Sequence, residues 1–181
     1  VDGMSGQIAA IRLMDHVIMV NLAQIRKMQL DGFSVEILAH EIGHHVFVPG
    51  NLTDNARMIG IMQPIFMGMS KDIPHMVANL YGDLHINDRL QRSAKLDIAG
   101  VYKYMRADAG EDSGKVWKVY TRAYEHLWSL KPGTLAPGGV NDEMNADAAL
   151  IARLIRHYAG KWLRGVQRFA FILYPYLVAD E

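Results

Sequence analysis

The sequence predicts an α+β fold that is mainly helical, with a small sheet near the N-terminus and several helices after it. Two observations lead to this prediction. Apolar and partly β-branched residues between Ala9 and Asn21 surround a turn at Met14, Asp15 and His16, a pattern typical of two short strands. The rest of the chain alternates helix-length apolar patterns with loops rich in glycine and proline.

Capping and breaking residues divide the helical part into segments. Asn21 can cap a short helix that ends near Gln29, and Ser34 can cap a second helix from Val35 to Val46. Further helices are expected at 54–70 with a kink near Pro64, at 74–96, at 116–130, and at 141–174 with a break near Gly160. The polar runs 107–115 and 131–141 are predicted to be loops.

The chain has the length and composition of one globular domain. Its 181 residues are 50% hydrophobic and 21% charged, which provides enough apolar material for one core. We expect residues 1–106 to form the central part of the domain and residues 107–181 to form a helical C-terminal part of the same domain. The methionines at 58, 62, 67, 69 and 76 are expected to fill this core, with the lining of an apolar substrate pocket as the alternative.

Charge balance and the absence of cysteine exclude several classes of function. The 19 Lys and Arg residues match 19 Asp and Glu residues, so no basic surface is expected to attract nucleic acid. The chain has no cysteine, which excludes disulfides and leaves His, Asp and Glu as metal ligands. The apolar stretches 59–69 and 169–178 are shorter than the roughly 20 residues of a membrane-spanning helix, so no membrane span is expected.

The start of the chain bears on its location. No basic segment followed by an apolar segment opens the sequence, as it would in a secretory signal peptide. The expected location of the protein is the cytoplasm. The first residue is Val1 rather than methionine, so we also expect that the natural protein has further sequence upstream.

Two histidines with a glutamate between them lie in the middle of the second predicted helix. Residues 40–44 read HEIGH, and His40 and His44 project from the same face of a helix, where they can share one metal ion. Glu41 lies at the rim of that face, where its carboxylate can take a proton from water on the metal. Gly43 is expected to leave room for a strand or a substrate close to the metal. The motif therefore predicts a catalytic zinc site.

A third ligand must come from another helix, because catalytic zinc usually takes three protein ligands. Asn79, Asp83 and Asn87 recur every four residues and line one face of the predicted helix 74–96. Asp83 is the expected ligand, and Asn87 is expected to hydrogen-bond a ligand imidazole and fix its orientation. His85 and Asp88 are the alternatives to Asp83. A polar stripe that faces solvent is the alternative for the whole face.

The order of these elements resembles a known family. A strand with VIMVN, a short helix, a helix with LAHEIGHH and a later helix with NLYGDLHIND are similar to the gluzincin-type metallopeptidases found with von Willebrand A-type domains. The resemblance covers about 9–96. It implies a zincin-like domain in which His40, His44 and Asp83 hold Zn²⁺ and Asn87 lies behind them. No von Willebrand A-type domain follows in this chain, and an aspartate stands where gluzincins have a glutamate ligand.

The resemblance implies a zinc metalloendopeptidase, with von Willebrand A-type proteins or MoxR-type AAA+ ATPases as partners and a peptide or protein as substrate. We expect zinc to polarise the scissile carbonyl while Glu41 deprotonates the attacking water and later protonates the leaving amine. An extended substrate is expected to add to the strand 17–21 at the edge of the cleft. The alternative is a non-catalytic, metal-stabilised interaction module, but a structural site needs no general base, so Glu41 favours the enzyme.

Other residues are candidates for supporting roles. His45 follows the motif directly, but it is rotated by about 100 degrees from His44 around the helix axis and is expected to point away from the metal. A donor that stabilises the oxyanion is also expected in such a site. Its candidates are Tyr81, Tyr102, Tyr104 and His126, and the sequence does not choose among them.

Overall fold

The strands come first along the chain and the helices follow, in a computed structural model that describes residues 8–15, 17–108 and 113–180. The strands are β1 (Ala9–Arg12) and β2 (Val17–Val20). The helices are α1 (Leu22–Lys27), α2 (Ser34–Val46), α3 (Leu52–Met62), α4 (Ile73–Arg89), α5 (Ile98–Asp108), α6 (Lys115–Trp128), α7 (Asp142–His157) and α8 (Val166–Asp180). The prediction of a mainly helical α+β fold with a small N-terminal sheet is confirmed at this level.

The two strands form an antiparallel hairpin in which Ala9 pairs with Val20 and Arg12 pairs with Val17. Met14 and Asp15 lie in the turn between the strands, as predicted, and His16 lies outside the described residues. Ala9 and Val20 pack against a small apolar cluster of Ile25, Leu30 and Ile37. This cluster ties the hairpin to α1 and α2, and it places β1 alongside the helix that carries the HEIGH motif.

Local chemistry sets the ends of α1 and α2. The side chain of Asn21 accepts a hydrogen bond from the backbone of Gln24, as predicted for the cap of α1. The predicted cap of α2 is wrong by one position, because Ser34 is already helical and its hydroxyl donates to the Asp31 carbonyl. After α2 the chain reverses at Gly50, whose positive φ of 81° favours glycine.

One predicted helix needs correction, and one helix of the structure was not predicted. The predicted kinked helix 54–70 ends at Met62, before Pro64, and the residues that follow form turns. Proline lacks the N–H that a continuing helix would need, which explains the stop. Helix α5 was not predicted, because its short apolar pattern lies between two polar stretches. The helix predicted at 74–96 corresponds to α4, which continues into a π-helical segment, Leu90–Ala94.

Helix α4 lies at the centre of the molecule and contacts α2, α3, α6 and α8. Its buried apolar side chains join residues of α3, α6, α7 and α8 in the main core. The apolar face of α4 is thus held in place by the helical C-terminal part, while its polar face is turned toward α2. Among the described residues, no helix is both long and apolar enough to cross a bilayer.

The predicted core methionines divide into two groups. Met58 and Met62 are buried in the main core, and Met69 packs against it. Met67 and Met76 are 80% and 41% exposed, so the prediction that they fill the core is wrong. Met67 lies in the turns after α3, and Met76 lies in the first turn of α4 on a face that is exposed to solvent.

Candidate metal centre

Helices α2 and α4 come close together where the HEIGH motif faces the polar side of α4. A Cβ atom built on Gly43 would lie 2.4 Å from Cγ2 of Ile86, so the glycine allows the side chain of Ile86 to pack directly on α2. The expectation that Gly43 makes room for a strand or a substrate is therefore wrong. Gly82 on α4 is close to the same contact, since its Cβ would lie 3.9 Å from Cε1 of His44.

The close approach of the helices brings the three predicted ligands together. Nε2 of His40 lies 3.5 Å from Oδ1 of Asp83, and Nε2 of His44 lies 3.3 Å from the same oxygen. The two Nε2 atoms are 3.2 Å apart. All three side chains are mostly buried, with 13% to 22% of each exposed. Two nitrogens and one oxygen thus converge on a point that a single cation can occupy.

Hydrogen bonds on the far side of each ring fix the protonation of the two histidines. Nδ1 of His40 lies 2.8 Å from Oδ1 of Asn87, and Nδ1 of His44 lies 3.1 Å from the carbonyl oxygen of Val48. Both partners are acceptors, so each Nδ1 carries the proton in the neutral ring. Each Nε2 then has a free lone pair, which is the form that binds a metal ion.

Asn87 is held in this orientation by two members of a group that we call the tyrosine cluster: the buried Tyr120 and Tyr124 and the partly buried Tyr102. The amide nitrogen of Asn87 donates to the hydroxyls of Tyr124 at 2.8 Å and Tyr102 at 3.2 Å. The amide oxygen is therefore the atom that faces His40. Burial raises the pKa of all three hydroxyls, so they remain neutral hydrogen-bonding groups.

The donor set fits a metal ion better than it fits a purely protein contact. With both protons on Nδ1, the Nε2 atoms of His40 and His44 face each other with lone pairs at 3.2 Å. Oδ1 of Asp83 is buried in the same place and has no hydrogen-bond partner. Buried lone pairs that point at one another are unfavourable unless a cation or a proton lies between them. A divalent ion satisfies all three at once.

The charges around His44 also favour a cation. Burial by itself lowers the pKa of His44. In the protonated ring Nε2 would donate to Asp83, and this bond together with the negative charges of Asp83 and Glu41 outweighs burial, so the pKa is raised. The same negative potential that favours a protonated imidazole favours a metal ion at this position.

Glu41 lies beside the centre, between α2 and β1. It is only 8% exposed, and it lies close to the backbone of Ile11 in β1. Burial raises the pKa of Glu41, an effect that Asp83 strengthens and that His40 and His44 oppose. The carboxylate is thus positioned next to the candidate ligands and is a stronger base than an exposed glutamate.

A cavity of about 540 Å³ opens onto the candidate ligands and Glu41. Its walls come from β1, α2, α3, α4 and α5. Among the described residues, those of β2 do not line it, so the prediction that the strand 17–21 forms the cleft edge is wrong. Because β1 is the strand that packs on α2, the cavity beside α2 is lined by β1 and not by β2 in the described part of the chain.

The two alternatives to Asp83 point elsewhere. His85 is buried against Tyr81, with ring centroids 4.7 Å apart, and burial lowers its pKa to about 4. Asp88 forms an ion pair with Arg92, with 2.5 Å between Nη2 and Oδ2. Neither side chain lines the cavity, so the helical periodicity that selects Asp83 agrees with the packing of α4.

The predicted oxyanion donors are engaged in other contacts. The Tyr81 hydroxyl donates to the carbonyl of Trp162 at 2.6 Å, and the Tyr104 hydroxyl donates to Gln29. His126 contacts Asn145 on α7 and does not line the cavity. Tyr102 lines the cavity, but its hydroxyl belongs to the tyrosine cluster.

Sequence reasoning missed two parts of the site. Tyr120 and Tyr124 were not expected to support the ligands, although their i, i+4 spacing in an amphipathic helix places both hydroxyls on one face. The contribution of β1 to the cavity was also missed.

Comparison with known proteins adds no relative, since no family model, curated protein or solved structure matches the chain.

Proposed function

We propose that this chain is a zinc metalloendopeptidase. The single observation that carries the proposal is the convergence of His40, His44 and Asp83 beside a buried glutamate that follows the first histidine. The site lies at the wall of a cavity of about 540 Å³, which is large enough for several atoms of a peptide chain.

The ligand set supports zinc as the metal. Two imidazole nitrogens and one carboxylate oxygen are a combination typical of catalytic zinc, and such sites leave further positions for water and substrate. A zinc ion held by His40, His44 and Asp83 would supply a Lewis acid for the scissile carbonyl and would lower the pKa of a water molecule. The orientation of the imidazoles is supplied by the protein, through Asn87 and the carbonyl of Val48.

Glu41 is the general base of the proposed reaction. Its carboxylate takes a proton from the attacking water as the new carbon–oxygen bond forms, and it returns that proton to the peptide nitrogen as the carbon–nitrogen bond breaks. The nearby backbone N–H of Ile11 favours the charged form of the carboxylate, which is the form that accepts the proton. The raised pKa of Glu41 supports both steps, since a group with a pKa nearer to neutrality can act as base and as acid.

The position of β1 supports an extended peptide as substrate. Residues of β1 line the cavity next to Glu41, and β2 occupies one edge of the strand. A peptide that pairs with the other edge of β1 would run across the cavity past the candidate ligands. The backbone of the substrate would then be held by main-chain hydrogen bonds, and its side chains would enter the cavity.

The metal site is tested by zinc binding. We expect one zinc ion per chain by mass spectrometry of the native protein, and Asp83→Ala and His44→Ala should each lower zinc affinity by more than about 100-fold, because each removes a direct ligand. Asp88→Asn is the matched control, since Asp88 lies on the same helix but pairs with Arg92. Loss of zinc in the Asp88 variant with retention in the Asp83 variant would show that the ligand assignment is wrong.

Catalysis is tested by Glu41→Gln. This variant should keep its zinc and lose cleavage of dye-labelled casein and of a fluorogenic peptide library by at least about 100-fold, since it removes the base alone. Glu143→Gln, at an exposed position in the first turn of α7, is the control and should cleave normally. Cleavage that survives in Glu41→Gln, or zinc-loaded wild-type protein that cleaves neither substrate, would favour the non-catalytic, metal-stabilised module.

A further inference from the structure

The cavity holds another polar side chain next to the candidate ligands. Asn79 lies one helical turn before Asp83 on α4, is exposed, and lines the cavity. Its amide nitrogen lies 3.4 Å from Oδ2 of Asp83, whereas Oδ1 of the same carboxylate faces the two imidazoles. Asn79 therefore lies on the cavity side of Asp83, and the carboxylate of Asp83 separates its amide from the two histidines.

We propose that Asn79 is the oxyanion donor of the site, a catalytic residue whose amide N–H stabilises the negative charge that develops on the scissile carbonyl oxygen. This inference rests on the proposed peptidase function. An asparagine amide has two N–H groups, and the contact with Asp83 uses one of them. The second N–H is available to a group in the cavity, because the side chain is exposed there.

The other donors that line the cavity, which include Asn55 on α3, are either engaged elsewhere or make no contact with a candidate ligand among the described residues. The amide of Asn87 donates to Tyr102 and Tyr124, and the Tyr102 hydroxyl bonds within the tyrosine cluster. His75 also lines the cavity, but it lies two turns before Asp83, about 12 Å along the helix axis. Among the described residues that line the cavity, Asn79 is thus the neutral donor with a direct contact to a candidate ligand and an N–H to spare.

The chemistry of peptide hydrolysis gives this position a role. When the oxygen of water bonds to the carbonyl carbon, the π electrons of the carbonyl move to its oxygen, and the proton from water goes to Glu41. The N–H of Asn79 then donates to a full negative charge instead of a neutral carbonyl, so the hydrogen bond strengthens in the transition state. When the carbon–nitrogen bond breaks, the electrons return to the carbonyl, and the peptide nitrogen receives the proton from Glu41.

Asn79→Ala and Asn79→Asp test the proposal with two readouts. We expect Asn79→Ala to lower kcat for casein peptides by about 10²- to 10³-fold, the usual effect of removing one oxyanion donor, with little change in KM or zinc affinity. The second readout is binding of N-phosphoryl-leucinamide, a probe whose tetrahedral anionic group resembles the charged intermediate, measured by calorimetry on zinc-loaded protein. Its affinity should fall by at least about tenfold in Asn79→Ala, the loss that corresponds to one charge-assisted hydrogen bond.

Asn79→Asp separates a catalytic role from a structural one. An added carboxylate beside Asp83 should preserve or raise zinc affinity, yet it should repel the anionic probe and weaken its binding further than alanine does. If Asn79 only positions Asp83, both variants would lose zinc affinity in step with activity. Gln167→Ala, an exposed helical amide outside the cavity, is the control and should match the wild type in every measurement.

The outcomes distinguish the inference from the function on which it rests. Wild-type protein that takes up no zinc contradicts the metal centre and the inference together. Wild-type protein that takes up zinc and cleaves peptides, with Asn79→Ala retaining kcat and probe affinity, contradicts the inference alone. Loss of kcat and probe affinity with zinc affinity retained supports the assignment of Asn79.

Discussion

Asn87 joins the candidate metal centre to the interior of the protein. Its oxygen accepts from Nδ1 of His40, and its nitrogen donates to Tyr102 and Tyr124. Asn87 is 2% exposed, so an unpaired polar atom on its side chain would be costly. One amide thus fixes both the tautomer and the orientation of a candidate ligand.

This role predicts the effect of Asn87→Leu, which keeps the size of the side chain but removes both hydrogen-bonding groups. Nδ1 of His40 would lose its acceptor, so we expect zinc affinity to fall by about 10- to 100-fold, the usual effect of losing a partner behind a metal ligand. Zinc competition with a chromophoric chelator measures this change. Tyr120→Phe is the control, because within the described part of the chain the Tyr120 hydroxyl bonds to Tyr102 and Tyr124 and not to Asn87. Equal zinc affinity in Asn87→Leu and wild type would contradict the role assigned to Asn87.

At the scale of the elements, the distance between α2 and α4 decides whether the site exists. The helices carry the two halves of the ligand set, and the place where they touch is Gly43 against Ile86. Ile86 is fully buried and precedes Asn87 in the chain. Any side chain at position 43 would therefore displace the segment of α4 that supports His40.

Gly43→Ala tests this contact. The new methyl group would overlap Cγ2 of Ile86, so we expect a loss of about 1–3 kcal/mol in the free energy of unfolding, as is usual for overpacked interiors, together with weaker zinc binding. Gly60→Ala on α3 is the matched control, because a Cβ atom added there would meet nothing within 4 Å. Since alanine favours helices over glycine, this control should stabilise the protein by about 0.5–1 kcal/mol. Urea unfolding of both variants measures the difference, and a stabilised Gly43→Ala protein would contradict the argument.

At the scale of the whole molecule, the C-terminal helices hold the site from behind. The largest set of contacts between elements joins α6 to α7, and both helices pack in the main core with α4. A buried carboxylate, Glu125 on α6, fixes the loop between these helices. It accepts hydrogen bonds from the backbones of Gly133, Leu135 and Ala136 and forms an ion pair with Arg122 at 2.6 Å.

Glu125→Gln should weaken the fold without changing the metal ligands. The amide would place an NH₂ group against backbone donors and would leave the partly buried Arg122 with its hydrogen bond to Asn145 but without a counterion, so we expect a loss of about 3–5 kcal/mol in the free energy of unfolding. Urea unfolding of metal-free protein measures the loss, and the exposed Glu143→Gln is the control. Zinc affinity of the folded Glu125→Gln protein should stay near that of the wild type, because Glu125 does not line the cavity. A stability equal to that of the wild type would contradict the role of Glu125.

The sequence was sufficient to predict those features that neighbouring residues along the chain determine. The spacing of His40 and His44, and that of Asp83 and Asn87, places each pair on one face of its helix whatever the rest of the molecule does. The small sheet, the cap at Asn21 and the helical character of the remaining chain are likewise set by neighbouring residues. Fold class and candidate ligands were therefore predictable.

Only the tertiary structure decided which faces of the helices and strands pack against one another. It selects β1 instead of β2 as the wall of the cavity, assigns Gly43 to the contact with Ile86, and places the tyrosine cluster behind Asn87. These facts depend on how side chains from distant segments fill space between helices, and periodicity within a single helix holds no information about its neighbours. Helix geometry fixes the direction of each side chain, whereas the packing of the core fixes the distances between them.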